Sequence, residues 1–305
     1  MHCKLISRSR LSAIPSASAI EIINGHIYVI SDDSAEVFML GHALEPGGSV
    51  PLFKDATPDQ GSVRIAKSVK PDLEASLAIS RNGLSEIIIF GSGSTNARER
   101  GFVLRCGPQT ATVAGEFSLT ALYSVLREDA LIAASDCLNI EAAVATAEQV
   151  ILCHRGRCGG PSVIVQIERT HFETWLDSPT LLPPPHCKTS AIMLPRLNNV
   201  EAGLSGAAAI PGINSVIVTA TAEDSRDSIA DGQIIGSLIG RLDLSPQGPE
   251  LSWVEPIKDQ NSQLLIAKIE SIAIAHNAHP PQLDILAVSD DDLGGSELFR
   301  FSLMV

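Results

Sequence analysis

Short apolar runs separated by tight-turn residues fill this chain. The clearest unit begins at Ala19–Ile23, apolar apart from one inserted carboxylate, Glu21. Asn24-Gly25 follows, a hairpin dipeptide that tolerates φ > 0 at both positions. His26–Ile30 reads as the return strand and ends in Ser31-Asp32-Asp33; Glu36–Leu40 and Val50–Lys54 supply a third and a fourth strand. Four antiparallel strands joined by tight turns make one propeller blade. The order recurs. A second unit runs through Leu73–Ile79, the turn Arg81-Asn82-Gly83, Glu86–Phe90 and Gly101–Arg105. A third has Ile140–Ala145, Gln149–Cys153 and Ser162–Gln166, with His171–Leu176 as its outer strand. A fourth has Val200–Ile210, Pro211-Gly212, Ser215–Thr219 and Ile234–Leu242. The fifth has Ile269–Ala275, Leu283–Val288 and Leu298–Leu303.

Each unit carries a glutamate in or beside its first apolar run: Glu21, Glu74, Glu141, Glu201 and Glu270, at intervals of 53, 67, 60 and 69 residues. Five units of about 61 residues exceed the roughly 40–45 of a minimal blade, so the surplus falls in loops such as Arg127–Cys137, Leu181–Pro195 and Thr221–Gly232. The fifth unit stops after three strands. Lys4–Ile14 can supply the missing outer strand and close the ring by pairing the two chain ends, which removes exposed sheet edges. The expected fold is therefore all-β, a five-bladed propeller spanning residues 1–305 as one domain. A six-bladed ring with one blade lacking the glutamate is the alternative.

Composition narrows the partners. Hydrophobic residues are 45% of 305 and aromatics only 4%, with abundant Ala, Ser and Gly, as suits strands crowded around a narrow axis. A net charge of −13 excludes a nucleic-acid backbone as main partner, since that needs a basic stripe. No apolar stretch reaches the length of a membrane span, and the N-terminal MHCKLISRSRLSAIPSASA lacks a continuous apolar core, so no signal peptide is read. The expectation is a cytoplasmic protein with six reduced cysteines. Cys153-His154-x3-Cys158 lacks the second ligand pair of a zinc site.

A carboxylate at the start of each inner strand lies near one mouth of the central channel. Five there repel one another unless protonated, hydrogen-bonded or neutralised by a cation. Calcium, a hard ion taking six to eight oxygens, suits such a ring; otherwise the glutamates bond the backbone of neighbouring blades and only hold the ring together. The second strands end in Ser31-Asp32-Asp33, Gly91-Ser92-Gly93-Ser94, Cys153-His154-Arg155-Gly156-Arg157, Thr219-Ala220-Thr221 and Ser289-Asp290-Asp291, and these ends share the glutamates' face. Asp32, Asp33, Asp290 and Asp291 are the candidate water-orienting or catalytic carboxylates. Lys70, Arg98, Arg155 and Arg157, with Ser92 and Ser94 of a possible anion nest, are the candidates for holding an anion. No G-x-S-x-G or spaced nucleophile–histidine pair is present.

Ile20-Glu21-Ile22-Ile23-Asn24-Gly25-His26-Ile27-Tyr28-Val29-Ile30-Ser31-Asp32-Asp33 resembles the first blade of the calcium-activated nucleotidase (apyrase) family, whose pattern there is E-L-x-x-F-x-G-x-L-Y-x-x-D-D. Asn139-Ile140-Glu141-Ala142-Ala143 with Arg155 and Arg157 is similar to that family's third blade. Lys70-Pro71-Asp72-Leu73-Glu74 with Gly91-Ser92-Gly93-Ser94 and Arg98 looks closer to an uncharacterised bacterial domain-of-unknown-function family. Phytase-like esterase propellers share the glutamate strand and paired-Asp turn. Two departures from the apyrase pattern are plain: Ser34 replaces the arginine after the paired aspartates, and the second blade's tryptophans are missing. The resemblance implies a five-bladed propeller with one central calcium. The functional expectation is a metal-centred propeller that binds, and as an enzyme would hydrolyse, a small anionic phosphate-containing ligand; the alternative is a non-catalytic scaffold with structural carboxylates.

Overall fold

In a computed structural model the structure describes residues 2–41, 44–54, 65–66, 69–108, 110–135, 137–156, 160–224, 232–275, 278–291 and 293–305. Strand β1 (His2–Arg10) comes first. Then β2 (Ala17–Ile23), β3 (His26–Ser31), β4 (Glu36–Leu40) and β5 (Pro46–Pro51) form one antiparallel sheet. The second sheet is β6 (Leu73–Arg81), β7 (Leu84–Gly91), β8 (Arg100–Cys106) and β9 (Ala111–Ser118). The third is β10 (Ile140–Ala145), β11 (Gln149–His154), β12 (Ser162–Glu168) and β13 (Cys187–Ile192). The fourth is β14 (Ala202–Ala209), β15 (Ser215–Asp224), β16 (Gln233–Ser245) and β17 (Gly248–Pro256). In the fifth, β18 (Lys268–Ile274), β19 (Gln282–Asp290) and β20 (Ser296–Met304) are completed by β1. Strands β2, β6, β10, β14 and β18 touch in cyclic order around the axis, making a five-bladed ring.

Sandwiching each blade between two others explains the sequence pattern. A strand buried on both faces reads as a continuous apolar run, not an alternating one. Ile87, Ile88, Ile89 and Phe90 of β7 are all fully buried, as are Val150, Ile151, Leu152 and Cys153 of β11. The Asn24-Gly25 and Asn82-Gly83 turns hold both residues at positive φ, 53° and 78° in the first and 52° and 75° in the second.

Two helices interrupt the repeat. α1 (Thr120–Glu128) joins the second and third blades, and α2 (Arg169–Asp177) separates β12 from β13. His171–Leu176, expected as an outer strand, thus belongs to a helix, and the outer strand is Cys187–Ile192. Phe172, Trp175 and Leu176 are buried at the i, i+3, i+4 spacing of a helix face. They pack an aromatic cluster in which Phe90 lies 6.2 Å from Phe172 and Phe117 lies 6.1 Å from Trp175.

The chain ends close the ring. β1 pairs antiparallel with β20 from His2↔Met304 to Arg10↔Glu297. Cys3 and Leu5 point into the fifth blade's core, and Arg8 bonds Glu297 while lying 5.4 Å over Phe299. Leu5→Ala should cost about 2–4 kcal/mol of stability in urea unfolding, whereas Lys4→Ala on the exposed face of the same strand should stay within about 0.5 kcal/mol.

Candidate functional site

The five inner strands share one irregularity. Pairing with the second strand slips at Ala17/Ala19, Leu73/Ala75, Ile140/Ala142, Leu204/Gly206 and Ile269/Ser271. Each slip is a β-bulge, which leaves one residue unpaired and re-aims its side chain. Those residues are Ser18, Glu74, Glu141, Ser205 and Glu270, spaced by 56, 67, 64 and 65 residues. The residue before each bulge (Ala17, Leu73, Ile140, Leu204, Ile269) is fully buried. An apolar anchor followed by a bulged Ser or Glu is therefore the true repeating unit. Glu74, Glu141 and Glu270 occupy it. Glu21 lies three residues past the bulge, and Glu201 precedes β14, exposed and paired with Arg196.

One mouth of the channel gathers Ser18, Glu74, Glu141 and Glu270 around a cavity of about 50 Å³, with Asp32, Asp290, Arg155 and Lys268. This is enough for about one ion and a water or two. Ser18 Oγ donates to the Leu73 carbonyl of the next blade, and Ser205 Oγ does the same to Ile269 O at 2.6 Å. Their hydroxyl protons are thus committed across the blade seams, leaving the oxygens as acceptors.

Two ionic networks flank the cavity. In the first, Lys70 Nζ contacts Asp32, Asp33 Oδ1 at 3.0 Å and Asp72 Oδ1 at 3.7 Å. Arg98 donates to Asp72 Oδ2 at 2.7 Å and to Ser94 Oγ at 2.8 Å; Ser92 Oγ donates to Asp72 Oδ2 at 2.6 Å. In the second, Arg155 bridges Glu141 at 3.1 Å and Glu223 at 2.9 Å, and Lys268 lies 2.9 Å from Glu270. Gly203 lets Arg155 cross into the fourth blade, because a Cβ there would sit 2.4 Å from Arg155 Cγ. Ser16 and Asp72 stand two residues before their bulges with φ of 37° and 53°, backbone strain of about 1–3 kcal/mol each in residues that build the site.

Eight carboxylates (Asp32, Asp33, Asp72, Glu74, Glu141, Glu223, Glu270, Asp290) face four cations (Lys70, Arg98, Arg155, Lys268) here. Burial pushes Asp32 up to about 8 against the pull of Lys70, with Asp33 and Asp72 adding to the rise. Burial also drives Glu74 well above the carboxylate range, helped by Asp72, Asp32, Glu141 and Glu270. Glu270 is raised by burial and Glu141 despite Lys268 and Arg155. Oxygens of Asp32, Asp72 and Glu74 lie within 4.8 Å of one another. Asp32 Oδ1 and Glu270 Oε2 are buried with no hydrogen-bond partner. Among the described residues no hydrogen bond or ion pair reaches Glu74. An acceptor-rich cavity with unsatisfied oxygens is short of positive charge.

The remaining candidates separate. Asp33 is buried on Ser16 Oγ at 2.8 Å and Lys70. Asp291 is exposed and caps its own turn through the amides of Leu293 and Gly295. Glu21 lies toward the far mouth, accepting from Ser76 Oγ at 2.9 Å, and burial pushes it up to about 8. Arg157 and Cys158 fall outside the described residues. The Gly91–Ser94 amides are spent internally, on Asp72 O, Arg98 O and Ser92 Oγ, so they leave no open anion nest. His154 is held by Asn139 and Ser135, and burial pulls it down to about 4. Glu223 and the two serines were missed by counting glutamates. Counting six residues back from Asn24 and from Pro211, the turns that close the two hairpins, finds both serines.

Fold and site together define a five-bladed propeller with an acidic axial mouth. A family of unknown function, DUF6929, matches residues 13–303, and the chain belongs to it. No curated protein matches the chain. Among solved structures it is similar to the glutaminyl cyclase of Myxococcus xanthus, at 8% identity and a TM-score of 0.51 over 99% of this chain and 97% of that one. It is also similar to the tail fibre of Staphylococcus aureus phage P68, at 12% identity and a TM-score of 0.52, covering 100% of this chain and 53% of that one. At these identities the likeness shows the fold alone. The likeness to nucleotidase and phytase-like propellers rests on short motifs only. Among the described residues no helix is long and apolar enough to cross a membrane.

The raised carboxyls fix the sign of a pH effect. A carboxyl with a higher pKa folded than unfolded keeps its proton in the native state after the unfolded chain has lost it, so stability falls as pH rises between the two values. His154 works oppositely, but only between about 4 and 6.5. Metal-free protein should therefore lose stability from about pH 6.5 to 8 as Asp32 and Glu21 ionise, and Asp32→Asn and Glu21→Gln should each flatten that slope in chemical unfolding followed across pH. Arg155→Ala takes the guanidinium from both Glu141 and Glu223, leaving Lys268 at 3.6 Å from Glu223, and should cost about 3–5 kcal/mol, against less than about 0.5 kcal/mol for Glu201→Ala.

Proposed function

We propose that the protein holds one divalent cation, calcium by its donor set, at the acidic mouth, and that a small anionic phosphate-containing ligand docks on that ion. The observation that carries this reading is the ring of bulged residues, Ser18, Glu74, Glu141, Ser205 and Glu270, with Glu270 Oε2 buried and unpartnered. Glu74, Glu141 and Glu270 would be the carboxylate ligands, closing on the ion from a cavity where Asp32, Asp72 and Glu74 already bring oxygens within 4.8 Å of one another, and Ser18, which lines the cavity, would add a hydroxyl oxygen; an all-oxygen set drawn from flexible carboxylates suits calcium. Glu21 and Glu201 drop out of the ligand set on position.

A bound divalent ion would supply Lewis-acid polarisation of a phosphate oxygen and of water. Of the four aspartates considered as bases, Asp32 is the one that both lines the cavity and has a free buried oxygen; once a bound cation had displaced its own proton it would take the proton of attacking water. One observation favours the scaffold reading instead. Lys70, Arg98, Arg155 and Lys268 are all engaged by carboxylates, so no described cation at this mouth is left to fork an anion.

Calcium added to chelator-treated protein should raise its melting temperature, with about 2.7 kcal/mol of stabilisation once the free ion is a hundredfold above Kd. Glu74→Gln and Glu270→Gln should abolish the shift; Glu201→Gln should keep it. Identical melting in chelator and in millimolar calcium would sink the cation site. Phosphate release from a panel of nucleotides and phosphomonoesters, present with calcium and lost in Asp32→Asn, separates the hydrolase from the scaffold.

A further inference from the structure

The far mouth of the channel is chemically the reverse of the first. There the inner strands open onto a pit of about 290 Å³, at the small end of ligand pockets, which run from about 300 to 1,000 Å³. Its walls are apolar, with Ile22, Leu77, Val144 and Ile272 set among alanines. Ala78, Ala145, Ala209 and Ala275 from four blades stand where leucine or isoleucine would close the channel, as such residues close the seams between blades. On the first blade, Glu21 supplies the pit's carboxyl.

Blade two holds Glu21 in place. Ser76 Oγ donates to its Oε1 at 2.9 Å, and the Ala78 amide also bonds the carboxyl. No lysine or arginine is among the described residues lining the pit; His279 stands exposed at the rim. The contrast with the other mouth, where carboxylates contact Lys70, Arg155 and Lys268, leaves Glu21 anchored but without a counter-ion.

We propose that this pit binds a small apolar amine, its ammonium on Glu21 and its hydrocarbon body against the alanines. Charge complementarity selects the head group, and the walls select the body. One carboxylate among methyl groups offers too few oxygens for a metal ion, which needs six or more. An anionic ligand would find no cation to pair with, since no lysine or arginine is among the described residues lining the pit. In the empty pit burial keeps a proton on Glu21, pushing it up to about 8, and an incoming ammonium replaces that proton. The proposal is independent of the cation at the opposite mouth.

The test is calorimetric titration of the full chain with n-hexylamine, and with hexan-1-ol and hexanoate as matched probes. Hexylamine should bind the native protein, and Glu21→Gln, which keeps the shape and removes the charge, should weaken it about thirtyfold or more. Ala209→Leu, which fills the pit, should weaken it as well, with Ala145→Leu as the second filler should the first fail to fold. The calcium response of melting should be unchanged in all three variants. No hexylamine binding to the native protein would overturn the proposal. So would equal binding of hexan-1-ol or hexanoate, or an undiminished affinity in a folded Glu21→Gln.

Discussion

A single backbone device organises this molecule: the bulge that opens every inner strand. Its apolar anchor locks into the seam between blades, so the next residue is delivered toward the axis with little freedom. Glu74, Glu141, Glu270 and Ser18 reach one cavity because copies of the same irregularity put them there. The serines are as informative as the glutamates. By donating to the following blade's backbone they tie seams one to two and four to five, work that a carboxylate cannot do because it has no proton to give when ionised.

Concentrating so many acids on one small cavity would be prohibitive if all were charged and dry. The fold meets the problem in three ways at once. Lys70 is shared among three aspartates, Arg155 spans two blades under Gly203, and Asp32, Glu74 and Glu270 are pushed toward their protonated forms. None of these satisfies Asp32 Oδ1 or Glu270 Oε2. The remaining deficit of positive charge is the physical content of the cation proposal. Strained φ angles at Ser16 and Asp72 fit the same picture, since the surrounding sheet must override local preference to keep those side chains at the mouth.

Blade count, strand order and closure by the N-terminal strand were legible because each follows from local signals: apolar runs, Asn-Gly turns and a fifth unit one strand short. The helix at Arg169–Asp177 was not, since Phe172, Trp175 and Leu176 within a short apolar segment fit either period until α2 is seen packing on Phe90 and Phe117. At the site, Glu74, Glu141 and Glu270 were found by residue type. Glu21 and Glu201 were included for the same reason, and the structure places both outside that cavity. Register decides which face and which level a side chain reaches, and a bulge changes register without any mark in composition. Only the distance to the following turn betrays Ser18 and Ser205. Glu223 was invisible because its role depends on an arginine from another blade.

The inner strands also carry a gradient along their length that neither mouth reveals alone. They begin with Ser or Glu after a buried anchor and on four blades carry an alanine at the other mouth, so one channel joins an acidic end to an apolar end. If the carboxylates served only to hold the ring, both ends would need sealing, and the second would be packed with large side chains as the seams are. Instead the far end is left open by alanine on blades two to five and given one anchored carboxyl on the first. Both mouths thus present carboxyl groups short of a partner: Asp32 and Glu270 each with an unpartnered buried oxygen, and Glu21 with no lysine or arginine among the described residues of its pit. That shared feature sets the axis apart from the blade seams, which are packed with apolar side chains.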